Sequence, residues 1–71
     1  MANVPRYSVY CKHKNFKRGA CTGFYTDDFN RALKVVDNMR KSWHGLNGIY
    51  NWIKIKDNSV NKFVYEYRYY N

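Results

Sequence analysis

The clearest hydrophobic pattern in the chain lies in its middle, where apolar residues recur every three or four positions. The stripe comprises Phe29, Ala32, Leu33, Val36, Met39 and Trp43. Such spacing places all six side chains on one side of an α-helix. Thr26 or Asp27 can cap its start by accepting a backbone N–H, and Gly45 can supply the left-handed residue that ends it. The pattern therefore predicts an amphipathic helix over residues 27–43.

The C-terminal third of the chain is typical of a β-hairpin. Residues 49–56 and 62–69 are rich in β-branched and aromatic side chains, and the turn-forming residues 57–61 separate them. A five-residue connection pairs Lys56 with Lys62 and extends the same register along both strands. In that register one face of the hairpin is apolar. It consists of Ile49, Ile53, Ile55, Phe63 and Tyr65.

The N-terminal part of the chain predicts two further strands. Residues 7–12 alternate apolar and polar side chains, and a short strand over residues 20–25 leads into the helix. The order β-β-α-β-β predicts an α+β fold, in which one amphipathic helix packs on an antiparallel sheet and leaves its other face open. At 71 residues the chain has room for one domain, with a short flexible segment over residues 1–5.

The chain is strongly basic, with thirteen Lys and Arg against five Asp and Glu and a net charge of +8. Such a charge attracts nucleic acid, an acidic protein surface or an anionic membrane, although it also simply keeps a protein soluble. The sequence has no apolar run near the ~20 residues of a membrane span, and its first residues lack an apolar signal region. We therefore expect a cytoplasmic protein with no membrane partner, in which Cys11 and Cys21 are reduced.

Alternation along the strands predicts which side chains the open face presents. They are Ser8, Tyr10, Lys12, Tyr50, Trp52, Lys54, Lys56, Lys62, Val64, Glu66, Arg68 and Tyr70. Aromatic rings interleaved with Lys and Arg side chains suit RNA or single-stranded DNA, because nucleobases stack on flat rings while cations follow the phosphates. The same rings could instead stabilise the sheet or contact a protein. Four aromatic residues within positions 65–70 also allow a homodimer that forms through an edge strand.

The basic loop over residues 12–19 is a second candidate surface. Its bases and its one apolar ring are Lys12, Lys14, Phe16, Lys17 and Arg18. These side chains could clamp phosphates, because each contact releases counterions, or they could form an ordinary solvated loop. The outer face of the helix is also basic. Its expected pair of Asp37 with Lys41 is typical of a solvated polar face.

The sequence contains no catalytic or metal-binding pattern. Cys11, His13, Cys21 and His44 lack the spacing of paired zinc ligands. We expect the two cysteines to face each other across the first hairpin as small buried residues. No Gly-rich phosphate loop is present, and capping or turn roles explain most of the carboxylates. The sequence therefore predicts a protein that is not an enzyme and that binds no metal or cofactor.

Asn, Lys and Tyr dominate the composition of this short chain. In this respect it resembles the small basic accessory and anti-defence proteins of bacteriophages with low-GC genomes. The resemblance implies an inhibitor or adaptor that docks on an acidic surface of a host protein, a defence protein or a protein–RNA complex. The residues themselves favour a small basic module that binds RNA or single-stranded DNA. Both functions stay open at this point, as does a self-associating dimer.

Overall fold

One antiparallel sheet and two helices make up the computed structural model of the protein, which describes residues 5–69. In chain order the elements are β1 (Tyr7–His13), β2 (Ala20–Thr26), α1 (Phe29–Lys41), α2 (Trp43–Leu46), β3 (Tyr50–Asp57) and β4 (Lys62–Arg68). The predicted α+β fold is confirmed, and its strands lie in the order β2-β1-β3-β4. Most of the predicted flexible segment over residues 1–5, and Tyr70, lie outside the described residues. Within residues 5–69, neither helix has the length and apolar character needed to cross a membrane.

The core lies between α1 and the two central strands of the sheet. Val9 of β1 pairs with Ile55 of β3, and both are fully buried together with Ile53. Ala32 and Val36 of α1 pack against them. Half-buried side chains of the helix and of the covered face of the sheet complete this core: Tyr7, Cys11, Phe24, Phe29, Leu33, Val35, Met39, Tyr50, Tyr65 and Tyr69. The predicted apolar stripe is therefore confirmed along the whole of α1.

The start of α1 is capped by Asp28, whose carboxylate accepts the N–H of Asn30 at 2.9 Å. The two residues predicted as caps have other partners. The Thr26 hydroxyl accepts the N–H of Asp28 at 3.1 Å, and the Asp27 carboxylate accepts the N–H of Arg6 at 2.8 Å. The predicted cap is therefore wrong by one or two residues, because both side chains are used to tie neighbouring segments to the helix start.

The first helix ends two residues earlier than predicted, because Ser42 adopts an extended conformation. Its hydroxyl donates to the carbonyl of Met39 at 2.6 Å, and the same oxygen accepts the N–H of Gly45 at 3.3 Å. Ser42 therefore closes α1 and opens α2. Gly45 is not the left-handed residue that the sequence predicts: it lies buried within α2, and Gly48 has the positive φ of 65°. The break turns Trp43 out of the apolar stripe and into solvent.

The second hairpin has a different register from the predicted one. Asp57 pairs with Lys62, so the turn contains four residues, and Asn61 adopts a left-handed φ of 55° within it. A second shift follows in β4, so that Ile55 pairs with Tyr65. Alternation alone cannot reveal either shift, because it constrains the faces of a strand and not the length of its turn.

These shifts change which side chains the open face presents. Phe63 pairs with Lys56 and leaves the core, whereas Lys62 lies opposite Asp57 and away from the open face. An irregularity between β1 and β3 turns Tyr50 toward the core. The predicted positions of Phe63, Lys62 and Tyr50 are therefore wrong.

A buried carboxylate closes one end of the covered face. Asp57 accepts hydrogen bonds from the hydroxyl and the N–H of Ser59, at 2.6 and 2.9 Å, and from the Arg6 guanidinium at 3.1 Å. The Ser59 hydroxyl, and then Arg6, hold the pKa of Asp57 below its usual range. Beside it, the Ser8 hydroxyl donates to the Asn58 side chain at 3.4 Å. Ser8, which the sequence places on the open face, is thereby fully buried next to the turn.

The two cysteines lie on opposite faces of the sheet. Cys11 pairs with Ala20, and Cys21 pairs with Tyr10. Neighbouring positions of a strand point to opposite faces, so the two thiols do not face each other as predicted. Both thiols are free and half-buried.

Candidate nucleic-acid interface

The open face of the sheet carries two aromatic rings that meet across the strand between them. Tyr10 on β1 lies opposite Lys54, and Phe63 on β4 lies opposite Lys56. Because β3 runs between β1 and β4, the rings reach toward each other over it. Their centroids are 5.5 Å apart in an edge-to-face arrangement. Phe63 is still 49% exposed, so its ring is accessible to a ligand.

Two lysines lie over the rings of this face. Nζ of Lys54 is 4.4 Å from the ring centroid of Trp52 and 5.1 Å from that of Phe63. Nζ of Lys56 is 5.7 Å from the ring centroid of Tyr10. Each ammonium is attracted to the negative face of its ring. Rings and cations are therefore interleaved in space as well as in sequence.

The acid on this face, Glu66, is neutralised by two neighbouring bases. Nζ of Lys54 lies 3.2 Å from its carboxylate, and Nε of Arg68 donates to the other carboxylate oxygen. Arg68 first, and Lys54 second, hold the pKa of Glu66 below its usual range. The carboxylate therefore stays charged near neutral pH, and the face as a whole keeps an excess of positive charge.

The basic loop is attached to the open face through Trp52. Lys12, the last open-face residue before the loop, lies opposite Trp52. A Cβ placed on Gly19 would overlap the indole, so this glycine allows the loop backbone to lie directly on the ring. The contact makes the loop over residues 14–19 a continuation of the open face. It also half-buries Trp52, which leaves this ring less available for stacking than the sequence indicates.

Positive charge without an acidic partner is concentrated near this loop. Within residues 5–69 every acid is engaged: Asp27 and Asp28 by backbone N–H groups, and Asp37, Asp57 and Glu66 by bases. Five of the thirteen Lys and Arg take part in those ion pairs, which leaves eight that do not. These are Lys12, Lys14, Lys17, Arg18, Arg31, Lys34, Lys56 and Lys62. Half of the eight belong to residues 12–18.

Most of the residues predicted to bind lie on this surface. Tyr10, Lys12, Trp52, Lys54, Lys56 and Arg68 lie on the open face, and Lys14, Phe16, Lys17 and Arg18 lie on the loop. Tyr50 packs against the core and Lys62 lies beside the turn, so these two do not belong to it. The sequence analysis missed Phe63. Asn61 was the sequence signal for the shorter turn that moves Phe63, because asparagine tolerates the left-handed conformation found there.

Sequence reasoning also missed Tyr25, a half-exposed ring on the β2 edge of the open face. The positive φ of 86° at Gly23 accompanies a bulge that brings Tyr25 opposite Ser8. The Cys21 thiol donates to the Tyr25 hydroxyl at 3.5 Å, and this contact raises the pKa of Tyr25. Tyr25 therefore extends the aromatic surface toward β2 as a neutral phenol.

Residues 5–69 contain no group of three or more His, Cys, Asp or Glu side chains that could hold a metal ion. Burial, and then Cys21, raise the pKa of Cys11, so its thiol stays protonated at neutral pH. An open cleft of about 430 Å³ on the helix side is lined by Asp28, Asn30, Arg31 and Lys34.

Comparison of the chain with protein-family models, curated proteins and solved structures found no match.

Proposed function

We propose that this protein binds single-stranded nucleic acid, RNA or DNA, on its open face and basic loop, and that it does so without catalysing a reaction. One observation carries the proposal: the accessible ring of Phe63 lies against Tyr10, with Lys54 over Phe63 and Lys56, which has no acidic partner among residues 5–69, over Tyr10. This combination provides both interactions that a single strand needs: rings on which nucleobases stack, and cations that contact the phosphates.

A single strand fits this surface better than a duplex. The rings lie on an open sheet face, where an unpaired base can reach them edge-on or stack on them. In a duplex the faces of the bases are already stacked on one another, so exposed rings would gain nothing from it. The proposal therefore includes a preference for unpaired strands.

The Lys and Arg side chains without acidic partners flank the rings at both ends of the open face. Lys56 lies at one end beside Tyr10, and Lys12 with the basic loop lies at the other end beside Trp52. Trp52 and Lys56 are four positions apart on β3, a distance of about 13 Å at ~3.3 Å per residue. At the ~3.4 Å spacing of stacked nucleotides in one strand, that length suits about four nucleotides, the lower end of the site sizes known for single-strand binders.

Salt dependence tests the role of the loop bases. The double variant Lys17→Ala/Arg18→Ala removes two basic side chains from the loop. Arg31→Ala/Lys34→Ala removes two basic side chains from the outer helix face and is the matched control. Each phosphate contact contributes about 0.7 to the slope of log K against log salt for a single strand. We expect the loop variant to lower the slope for labelled oligouridine by up to about 1.4. Equal slopes for the two variants would contradict the role of the loop.

A ring substitution tests the stacking. Phe63→Ala should weaken oligouridine or oligothymidine binding by about tenfold in fluorescence anisotropy, because one stacked base is lost. Val60→Ala removes an exposed apolar side chain from the neighbouring turn and should leave the affinity unchanged. If wild-type protein at micromolar concentration and low salt binds neither oligonucleotide, the proposed function is wrong, and the same surface would then be directed at an acidic protein.

A further inference from the structure

A second surface lies at the end of the molecule where the basic loop meets α2. Among residues 5–69, the three large apolar side chains with the greatest exposure are all found there: Leu46 at 75%, Trp43 at 67% and Phe16 at 65%. The N–H of Lys14 donates to the carbonyl of Ile49 at 2.8 Å, which joins the loop to the segment that follows α2. We refer to Phe16, Trp43 and Leu46 as the apolar end.

A continuous series of ring contacts connects two members of the apolar end, Phe16 and Trp43. Phe16 lies 5.3 Å from His13, His13 lies 6.5 Å from Tyr50, Tyr50 lies 6.1 Å from His44, and His44 lies 5.3 Å from Trp43, all between ring centroids. The loop and α2 are therefore held together as one surface. The polar rings of this series lie between Phe16 and Trp43, so the exposed apolar groups of the loop and of α2 are set apart from each other.

The exposure of Trp43 and Leu46 is imposed by the backbone. Gly45 is the buried residue of α2, and a Cβ on it would overlap the carbonyl oxygens of Met39 and Arg40. The short helix must therefore keep its glycine against the end of α1. Its two large apolar side chains, three positions apart, are consequently held in solvent.

The charges around the apolar end are positive. Lys14, Lys17 and Arg18 are exposed and belong to none of the ion pairs formed among residues 5–69. The nearest acid along the chain, Asp37, is paired with Lys41 at 3.0 Å, a contact that the sequence predicts correctly. Any partner that covers the apolar end therefore meets apolar anchors surrounded by uncompensated cations.

From this geometry we infer, against the expectation from the sequence that the protein has no membrane partner, that the apolar end docks it on an anionic lipid membrane surface. Phe16, Trp43 and Leu46 enter the interfacial region, and the loop bases contact the headgroups. Tryptophan suits this position because its ring is apolar and its N–H remains wet. A bilayer accepts separated anchors without any shape match, whereas protein contacts need a well-packed central cluster. The membrane contact is additional to the nucleic-acid proposal: it shares the basic loop and adds Trp43 and Leu46 as anchors.

Vesicle sedimentation of the full chain tests this inference. Vesicles made of equal parts phosphatidylcholine and phosphatidylglycerol should bind the wild-type protein, and vesicles of phosphatidylcholine alone should bind it much more weakly. The emission of Trp43 should shift to the blue on binding to the anionic vesicles. The double variant Trp43→Ser/Leu46→Asn should weaken that binding on the order of tenfold.

Matched variants separate this inference from the proposed function. Val60→Ser removes an exposed apolar side chain from the opposite hairpin and should leave vesicle binding intact. Phe63→Ala should also keep vesicle binding, and Trp43→Ser/Leu46→Asn should keep oligonucleotide binding. Circular dichroism checks that each variant is folded. Failure of the wild type to bind anionic vesicles, or undiminished binding by the double variant, overturns the inference, and the apolar end would then be assigned to a protein partner.

Discussion

The covered and open faces of the same sheet are built from different side chains. On the covered face, Val9, Ile53 and Ile55 are sealed from water by α1. On the open face, Tyr10 and Phe63 meet edge to face and lysines lie over the rings. Burial of aliphatic groups contributes more to stability than contacts between exposed rings and cations do. The fold therefore depends chiefly on one face, and the other is free to carry a binding function.

The largest expected difference between the faces is in stability. Ile53→Ala removes a fully buried side chain between β1, β4 and the helix, so the free energy of unfolding should fall by about 2–5 kcal/mol. Phe63 lies on the open face of the neighbouring strand. Apart from the loss of its ring contacts, Phe63→Ala should change the free energy of unfolding by about 0.5 kcal/mol or less in either direction. Urea titration followed by circular dichroism measures both. Similar losses for the two variants would show that the open face is part of the stabilising core.

An intermediate effect is expected where the loop covers the open face. Gly19→Ala places a methyl group into the space of the Trp52 indole, so the loop and the ring must move apart. The strain should cost about 1–2 kcal/mol. In a Trp43→Phe background, Trp52 becomes the reporter, and its emission should shift to the red as it gains contact with water. Ala20→Ser at the exposed neighbouring position is the control, and an unshifted spectrum for Gly19→Ala would contradict the close contact.

The elements of the fold could be predicted from the sequence because their signals are local. The three- and four-residue spacing that includes Ala32 and Val36 marks the helix, and the alternation around Ile53 and Ile55 marks a strand with one buried face. The open-face positions of Tyr10 and Lys54 follow from the same alternation. Strand order was not predictable in this way, since it depends on which strands pair across the whole chain.

The errors arise where side-chain hydrogen bonds decide the geometry. Asp57 extends β3 by one residue because Arg6 and Ser59 hold its carboxylate, and no periodic pattern reports that contact. The shortened turn then carries Phe63 from the expected core to the open face. Similarly, the hydroxyl of Ser42 ends α1 and exposes Trp43. One wrong residue in a turn or cap was enough to misplace an accessible ring of the candidate site.

The smallest expected effect compares two acids, Asp57 at the end of the covered face and Glu66 on the open face. The pKa of Asp57 is lowered chiefly by Ser59 and Arg6, and that of Glu66 by Arg68 and Lys54. A carboxyl with a lowered folded pKa contributes stability above its ordinary pKa and loses that contribution as pH falls through the lowered value. Both acids should therefore help the fold at neutral pH and stop helping it in acid.

The two contributions should differ because their surroundings differ. Asp57 is 4% exposed, whereas Glu66 is exposed and its ion pairs are screened by water. Between about pH 7 and about pH 3, the fall in melting temperature should become clearly smaller in Asp57→Asn and should barely change in Glu66→Gln. The neutral variants cannot lose a charge, so this comparison isolates the titration of each carboxylate. If the fall in melting temperature becomes smaller by the same amount in both variants, the ion pairs of the open face stabilise the fold as much as the buried carboxylate does. The contrast between the faces would then be limited to their aliphatic and aromatic side chains.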